Sequence, residues 1–498
     1  MLADSFTEET LASQHARGRH PAYHRRSYRK RSYRASTGSN IFFRMSTRSL
    51  LRDAADRAAT YLEGMDSRGV APTPDAIRAL ARFDRELPEH PLDPEAVLGE
   101  LDEIGSPGTS TSAGGRYFGF VIGATLPTAL AANMLATAWD QNAGLVVSSP
   151  TTAKLETVAL RWLLDALHLP ATSAAGFVTG ATMANFTCLA AARHALLQRA
   201  GWDVEAQGLF GAPPLNVVVG DEVHVTLLKA LSLLGLGRAR VTRVPTDEQG
   251  RMRAELLPPL DDRTILCLQA GNVNTGAFDP IAELTVRARA GGAWVHVDGA
   301  FGLWAAAAPT RSALVAGIAD ADSWALDAHK WLNVPYDSGV AICRDRDALR
   351  GATAVSAAYL VQGAEREPCE YTPELSRRAR GVDVWAAMSS LGRLGIEELI
   401  ERNCRQASRF ADGLRDAGYE ILSDVVLNQV LVSFGDDETT RRVIAALQTD
   451  GTCWCGGTVW HGRTAMRISV SSWATTDDDV ELSLAAMIRV ASEVHAPR

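Results

Sequence analysis

Lysine is almost absent from this chain of 498 residues. Lysine and arginine together number 50, and the only lysines are Lys30, Lys154, Lys229 and Lys330. Positions that need only a positive charge therefore carry arginine. A guanidinium stays protonated at any working pH, whereas a lysine amine in a partly dry pocket can lose its proton and attack a carbonyl. A lysine in an apolar setting of this chain is therefore a candidate for covalent chemistry.

Several other absences exclude classes of protein. No stretch approaches the roughly 18 to 20 apolar residues of a membrane span, so no membrane segment is predicted. The net charge of −8 disfavours nucleic acid as a partner. The seven cysteines are odd in number and lie mostly in apolar contexts, which predicts reduced thiols in the cytoplasm. Cys453 and Cys455 are too close in sequence for a zinc knuckle, so no metal site is predicted.

The first 44 residues differ in composition from the rest. They contain the basic stretch RGRHPAYHRRSYRKRSYR, which has too few aliphatic residues to bury a core, so residues 1–44 are predicted to be a disordered leader. They lack the apolar region of a secretory signal. Their Arg- and Ser-rich composition is typical of a transit peptide, but we favour an overextended gene start, with Met45 as the true first residue.

Three further segments follow along the chain. Residues 45–115 are predicted to be an N-terminal helical segment, with a helix over 48–80 and another ending near Ile104. Residues 116–384 alternate short apolar runs with helical patterns, which predicts an α/β domain whose mainly parallel sheet is covered on both faces. Its strands are predicted at 176–180, 215–220, 239–244, 264–270, 293–299, 323–329 and 339–344. Residues 385–498 are predicted to be a smaller α+β domain, with strands at 427–435 and 464–472.

Chemically distinctive residues stand where these strands end. Ligands bind beyond the carboxyl ends of the strands in such sheets, so Gly180, Asp298 and Lys330 could share one pocket. An aspartate at a buried strand end either caps a turn or keeps a pyridine nitrogen protonated. The turn at 180–182 opens a helix and leaves room for a phosphate at its N-terminus. His224 either caps a helix or stacks on an aromatic cofactor.

The motifs resemble those of the group II pyridoxal-phosphate amino-acid decarboxylases, the family of aromatic amino-acid, glutamate and diaminobutyrate decarboxylases. The resemblance spans Tyr117 to Arg467 and rests on six boxes in the family's order. These are VTGATMANFTCL, DEVHVTLLKALSLLG, GAFDP, HVDGAFG, DAHKW and MRIS. It implies the fold of type I pyridoxal-phosphate enzymes, which resembles that of aspartate aminotransferase, with a seven-stranded sheet.

The resemblance also implies a role for each matching residue. Lys330 would bind pyridoxal 5'-phosphate covalently, and Asp298 would contact the ring nitrogen. His224 and Ala300 would pack on the two ring faces, and Arg467 would bind the substrate carboxylate. The phosphate would be held by Gly180, Ala181, Thr182 and His329.

Some positions depart from the family pattern. Ala328 replaces a proline before the His-Lys pair. Asn272 and Val273 stand where the family has two threonines, one of which contacts the ring hydroxyl, so this contact is either lost or made by Asn272. Gly114 and Gly115 replace a His-Pro pair in a segment that helps to shape the substrate pocket.

The resemblance implies decarboxylation of an L-amino acid to its amine and carbon dioxide. Tyr359 lies 29 residues after Lys330, and by resemblance it would donate the proton to the substrate Cα from a mobile loop. Family members are homodimers, so a homodimer is expected. An aminotransferase or carbon–carbon lyase of the same fold remains open, as does a protein that only binds the cofactor. The sequence leaves the substrate undefined.

Overall fold

The computed structural model describes residues 46–354 and 365–496. A seven-stranded sheet forms its centre, in the strand order β1-β7-β6-β5-β4-β2-β3. Only β7 runs antiparallel to its neighbours, so the sheet is mainly parallel and the predicted fold class is confirmed. The strands are β1 Ala174–Val178, β2 Asn216–Gly220, β3 Thr242–Val244, β4 Thr264–Gln269, β5 Trp294–Asp298, β6 Ser323–Asp327 and β7 Gly339–Cys343.

Both faces of this sheet are covered by helices, as its apolar strands require. Successive residues of β4 point to opposite faces. Ile265 therefore packs in one buried cluster with Leu189, and Leu266 in another with Leu163. The helices as far as β7 are α1 Thr47–Glu63, α2 Pro74–Ala79, α3 Pro94–Glu100, α4 Ser106–Gly108, α5 Pro127–Trp139, α6 Pro150–Ala166, α7 Ala181–Arg199, α8 Val204–Gln207, α9 Val225–Leu233, α10 Ile281–Ala290 and α11 Ala328–Trp331.

A second, four-stranded antiparallel sheet has the order β10-β11-β9-β8. Two of its strands were predicted, and both are shorter than expected. The other two were missed: β8 has only two residues, and β10 begins with two glycines, which are poor strand formers. The remaining elements are α12 Arg346–Thr353, α13 Arg380–Asp416, β8 Glu420–Ile421, β9 Gln429–Ser433, α14 Asp437–Asp450, β10 Gly456–Trp460, β11 Arg463–Ser469 and α15 Asp477–His495.

The N-terminal segment differs from the sequence prediction. The single helix predicted over 48–80 is wrong, because α1 ends at Gly64 and α2 starts anew with Thr73 as its N-cap and Pro74 in its first turn. Helix α13 crosses the predicted boundary between residues 384 and 385, and its helical course is interrupted at Gly392. The predicted domain boundaries themselves stay predictions. In the described part of the chain, no helix combines the length and apolar character that crossing a bilayer requires.

Candidate active site

A cavity of about 270 Å³ lies at the carboxyl edge of the large sheet. Strands β1, β5 and β6 run in the same direction, so the residues that follow them meet at this edge. Eight of the residues singled out from the sequence line this one cavity. They are Gly180, Ala181, Thr182, His224, Asp298, Ala300, His329 and Lys330.

Among the lysines that the structure describes, Lys330 lines this cavity. Its side chain is 20% exposed, and Nζ lies 3.1 Å from Oδ2 of Asp327. The other lysines that the structure describes, Lys154 and Lys229, are exposed on helices α6 and α9. A partly buried amine beside a cavity has the surroundings that a nucleophilic lysine requires.

Asp327 was not predicted as a site residue. It ends β6, is 3% exposed, and uses its second carboxylate oxygen to accept a hydrogen bond from the backbone N–H of Ala181 at 2.6 Å. The same carboxylate therefore joins Lys330 to the first residue of α7. Its position three residues before Lys330, at a strand end, was the available signal in the sequence.

Asp298 ends the neighbouring strand β5 and is 5% exposed. Its Oδ2 accepts a hydrogen bond from the Asn185 side-chain amide at 3.0 Å, and its Oδ1 accepts one from the Ala300 backbone at 3.2 Å. Both donors are uncharged, and no ion pair involving Asp298 is found among residues 46–354 and 365–496. Its charge is therefore available to a ligand in the cavity.

His224 is the N-cap of helix α9, and it also lines the cavity. Capping the helix therefore does not exclude contact with a ligand. Its Nδ1 lies 2.7 Å from the hydroxyl of Thr226. Burial lowers the pKa of His224; the charge of Asp298 opposes this, and the positive charges of Lys330 and Arg467 lower the pKa further. The ring is therefore a neutral imidazole at neutral pH.

His329 is held in one tautomer by the backbone. Its Nδ1 accepts a hydrogen bond from the N–H of Ser338 at 3.1 Å, so the proton of a neutral ring is on Nε2. Burial lowers the pKa of His329, which keeps the ring neutral. A β-carbon at Gly180 would lie 3.2 Å from Cε1 of His329, so the ring packs closely on the turn that opens α7.

Asn272 does not reach the cavity. Its Nδ2 donates to the side chain of Gln269 at 3.0 Å, and its Oδ1 accepts from the backbone of Asn274 at 2.8 Å. Both ends of the amide are thus used within the loop. Gln269 and Val273 line the cavity instead, so a ring-hydroxyl contact made by Asn272 is not supported by this geometry.

Arg467 lies on β11 of the second sheet, next to the cavity but outside its lining. Its closest polar contact in the described chain is a long hydrogen bond of 3.5 Å to Oδ1 of Asn274, and no carboxylate there pairs with it. Burial lowers the pKa of Arg467. A largely buried guanidinium without a carboxylate partner is suited to bind an anionic ligand.

Two glycines explain how the segment before α5 fits the site. Gly123 packs directly on the carbonyl of Lys330, where a β-carbon would overlap the backbone. A β-carbon at Gly115 would lie 2.9 Å from the carbonyl oxygen of Ala474, so this chain leaves no room for a larger residue there. Neither contact could be inferred from the sequence. The predicted proton donor, Tyr359, lies outside the described residues.

Comparisons with known proteins identify the family of this chain. Residues 74–435 match the family model of the pyridoxal-dependent decarboxylase conserved domain. The chain is 27% identical to tryptophan decarboxylase 1 of Oryza sativa subsp. japonica, over 85% of this chain and 90% of that protein. It is 29% identical to the L-2,4-diaminobutyrate decarboxylase of Rhizobium meliloti strain 1021, over 74% of this chain and 76% of that protein.

A solved structure gives the same fold. The crystal structure of Oryza sativa TDC with pyridoxal phosphate and tryptamine superposes with a TM-score of 0.83 and 23% identity, over 91% of this chain and 100% of that chain. The chain belongs to the pyridoxal-dependent decarboxylase family. It is therefore a pyridoxal-phosphate-dependent carboxy-lyase that acts on an amino acid.

Proposed function

We propose that this enzyme decarboxylates an L-amino acid to its amine, with Lys330 as the attachment point of pyridoxal phosphate. The observation that carries the proposal is that Lys330, Asp298, His224 and the start of α7 line one cavity. An amine, a carboxylate, a flat neutral ring and a helix N-terminus are the groups that this cofactor requires of its site. When bound, the cofactor would supply an electron-withdrawing ring that accepts the electron pair left on the substrate Cα as carbon dioxide departs.

Each lining residue then has a defined task. Asp298 would accept a hydrogen bond from the protonated ring nitrogen, and its two uncharged hydrogen-bond donors support this role. His224 and Ala300 would pack on the ring. The turn at Gly180, Ala181 and Thr182 would receive the phosphate, where the N–H groups of Gly180 and Thr182 and the helix dipole favour an anion. The N–H of Ala181 already donates to Asp327. The Nε2–H of His329, beside Gly180, is a further donor.

Arg467 is proposed to bind the substrate carboxylate. A carboxylate accepts two parallel hydrogen bonds from a guanidinium, and Arg467 has no such partner among the residues that the structure describes. Its charge contributes to the lowered pKa of His224, which supports a position near the cavity. Binding one carboxylate by Arg467 would orient the amino acid relative to Lys330.

Tyr359 is proposed to donate a proton to the substrate Cα after carbon dioxide leaves. The proposal rests on its distance of 29 residues from Lys330 along the chain and on the family resemblance. A phenol has a pKa near 10, so donation requires an acceptor as basic as a carbanion. Tyr359→Phe should therefore lower amine formation by roughly 10²–10⁴-fold, with cofactor content unchanged. Normal amine formation by this variant would contradict the assignment.

The reaction is tested by following two products in one assay. Purified enzyme with pyridoxal phosphate is given each common L-amino acid in turn, and carbon dioxide with amine is measured against keto acid. Stoichiometric carbon dioxide and amine from at least one amino acid is the expected result. Keto acid as the main product would favour the aminotransferase alternative, and no turnover with any amino acid would favour a protein that only binds the cofactor.

A homodimer is proposed as the working form. Helix α1 has no buried residue along its whole length. Large apolar side chains are exposed throughout the N-terminal segment and in α5, which is the pattern of a surface that a second copy covers. The most exposed are Leu51, Ile77, Leu87, Leu101 and Leu135. Sedimentation should give a dimer, and a fully active monomer at low concentration would contradict this.

A cytoplasmic location is also proposed. All seven cysteines are free and buried, and burial raises the pKa of the thiols of Cys188 and Cys404 to about 12. Buried, protonated thiols suit a reducing compartment. Imaging of a tagged full-length chain in its native host would test the proposal, and the signal should fill the cytoplasm.

A further inference from the structure

We propose that Asn185 and His296 are positioning residues that fix the charge and orientation of Asp298 toward the ring nitrogen of the cofactor. The inference rests on the proposed function, since it concerns the residue behind Asp298. Neither residue lines the cavity, and neither was singled out from the sequence. Both are fully buried, and they belong to a continuous chain of side-chain hydrogen bonds that ends on the Asp298 carboxylate.

The chain joins helix α7 to strands β5 and β6. The indole Nε1 of Trp294 donates to the hydroxyl of Ser323 at 2.9 Å, and that hydroxyl lies 2.9 Å from Nδ1 of His296. Nε2 of His296 lies 2.8 Å from Oδ1 of Asn185. Nδ2 of Asn185 then donates to Oδ2 of Asp298 at 3.0 Å.

The Asp298 end of this chain determines the direction of every hydrogen bond in it. An ionised carboxylate can only accept, so the amide of Asn185 turns its NH₂ group toward Asp298 and its oxygen toward His296. His296 must then donate from Nε2, and the unprotonated Nδ1 of the neutral ring accepts from the hydroxyl of Ser323. That hydroxyl accepts from the indole N–H of Trp294, which can only donate. Every donor therefore points toward one carboxylate oxygen.

The arrangement requires His296 to be neutral. Burial lowers the pKa of His296 to about 4, although the charge of Asp298 opposes the shift. A protonated ring would carry a proton on Nδ1 and could no longer accept from Ser323. The chain therefore keeps its direction throughout the neutral pH range.

The simplest alternative is that these groups only satisfy one another in a polar part of the core, as buried polar groups generally do. Two features argue for a role at the site. The chain ends on Asp298, which lines the cavity and has no ion-pair partner in the described residues. Aligned hydrogen bonds also polarise one another, so the chain stabilises the charged carboxylate without a competing cation. An ammonium partner would instead neutralise the charge that the ring nitrogen needs.

The test compares two cofactors that differ only at the ring nitrogen. Apoprotein of the full chain is titrated with pyridoxal 5'-phosphate and with its 1-deaza analogue, in which a C–H replaces the nitrogen. The parent should prefer the natural cofactor by roughly ten- to a hundredfold, the range of a hydrogen bond to a charged group. Asn185→Leu should lower this preference at least about threefold, because it weakens binding of the natural cofactor only.

Thr187→Val is the matched control. Thr187 is fully buried in the same helix, but its hydroxyl donates to the backbone of Met183 and does not contact the chain. It should keep the parental preference. An unchanged preference in a folded Asn185→Leu protein would overturn the proposal. A parent that binds neither compound would instead refute the proposed function itself.

Asn185→Asp covers the case in which the leucine variant fails to fold, because it changes one atom. The introduced carboxyl can donate to Asp298 only when it is protonated. The preference for the natural cofactor should therefore be low at high pH and recover toward the parental value as the pH falls. A preference in this variant that follows the parent at every pH would overturn the proposal.

Discussion

Asp298 and Asp327 stand side by side at the same edge of the large sheet, yet their surroundings differ. They end the adjacent parallel strands β5 and β6, both are buried, and both line the cavity. Asp327 pairs with the ammonium of Lys330 and with the start of α7. Asp298 is contacted by uncharged donors from Asn185 and Ala300.

The difference shows that the hydrogen-bond and ion-pair partners of a carboxylate determine how much charge it presents to the cavity. A carboxylate paired with an ammonium is largely neutralised by it, whereas one that accepts only from amides keeps a full charge for the cavity. Arg467 follows the second pattern, because it is also largely buried without a carboxylate partner among the described residues. We therefore expect the unpaired groups to contact ligand and Asp327 to organise the protein around Lys330.

Among the variants that test this comparison, the largest effect is expected from Asp298→Asn. It preserves shape but removes the charge that would keep the ring nitrogen protonated, so the decarboxylation rate should fall by roughly 10²–10³-fold. Cofactor affinity should also fall, by roughly ten- to a hundredfold, because the hydrogen bond from the ring nitrogen to a charged carboxylate is lost. Measured kcat and bound cofactor test both statements.

Asp322→Asn is the control for Asp298→Asn. Asp322 is also partly buried, but it precedes β6 and accepts from the backbone of Val295 at the opposite edge of the sheet. It should keep its activity. Equal losses in both variants would mean that Asp298 has no special position.

An intermediate effect is expected from Arg467→Lys. The change keeps the charge but removes the planar pair of donors, so KM should rise by roughly ten- to a hundredfold, the range of hydrogen bonds to a charged group. Cofactor affinity should not change.

Arg463→Lys is the control for Arg467→Lys. Arg463 lies four residues earlier on the same strand and pairs with Glu420 at the surface. Its KM should equal that of the parent. If the parental KM were also found for Arg467→Lys, Arg467 would be a structural residue.

The smallest effect is expected from Asp327→Asn. The variant removes a negative charge beside the proposed phosphate position, so inorganic phosphate should bind the apoprotein roughly two- to tenfold more tightly than in the parent, because a Coulomb repulsion is lost. Titration of the apoprotein with inorganic phosphate measures this. A loss of activity as large as that of Asp298→Asn would remove the distinction between the two aspartates.

The sequence predicted the large sheet and the shared pocket of three residues for one physical reason, whereas the other site residues came from the family resemblance. An apolar strand can be recognised from its own residues, and Gly180, Asp298 and Lys330 stand at the ends of three such strands. The parallel order of the strands brings these ends together at one edge of the sheet. What it missed depends on contacts between distant segments. The chain from Trp294 to Asp298 needs α7 packed on β5, and the fit of Gly123 on Lys330 needs a loop folded over α11.

Asn272 illustrates the same limit within the family boxes. Its position in the sequence suggested a ligand contact, but a polar side chain in a tight turn can bond to its own loop, as this amide does with Gln269 and Asn274. Strands β8 and β10 were missed because one is very short and the other begins with glycines.

The central claim is that Lys330 carries the cofactor, and borohydride reduction tests it most directly. The protein is reduced in the presence of pyridoxal phosphate, digested, and mapped by mass spectrometry. The cofactor should be attached to Lys330, and Lys330→Ala should lose both the label and the activity. The exposed Lys154 and Lys229 should carry no stoichiometric label. A label on either of them, together with an active Lys330→Ala protein, would contradict the account.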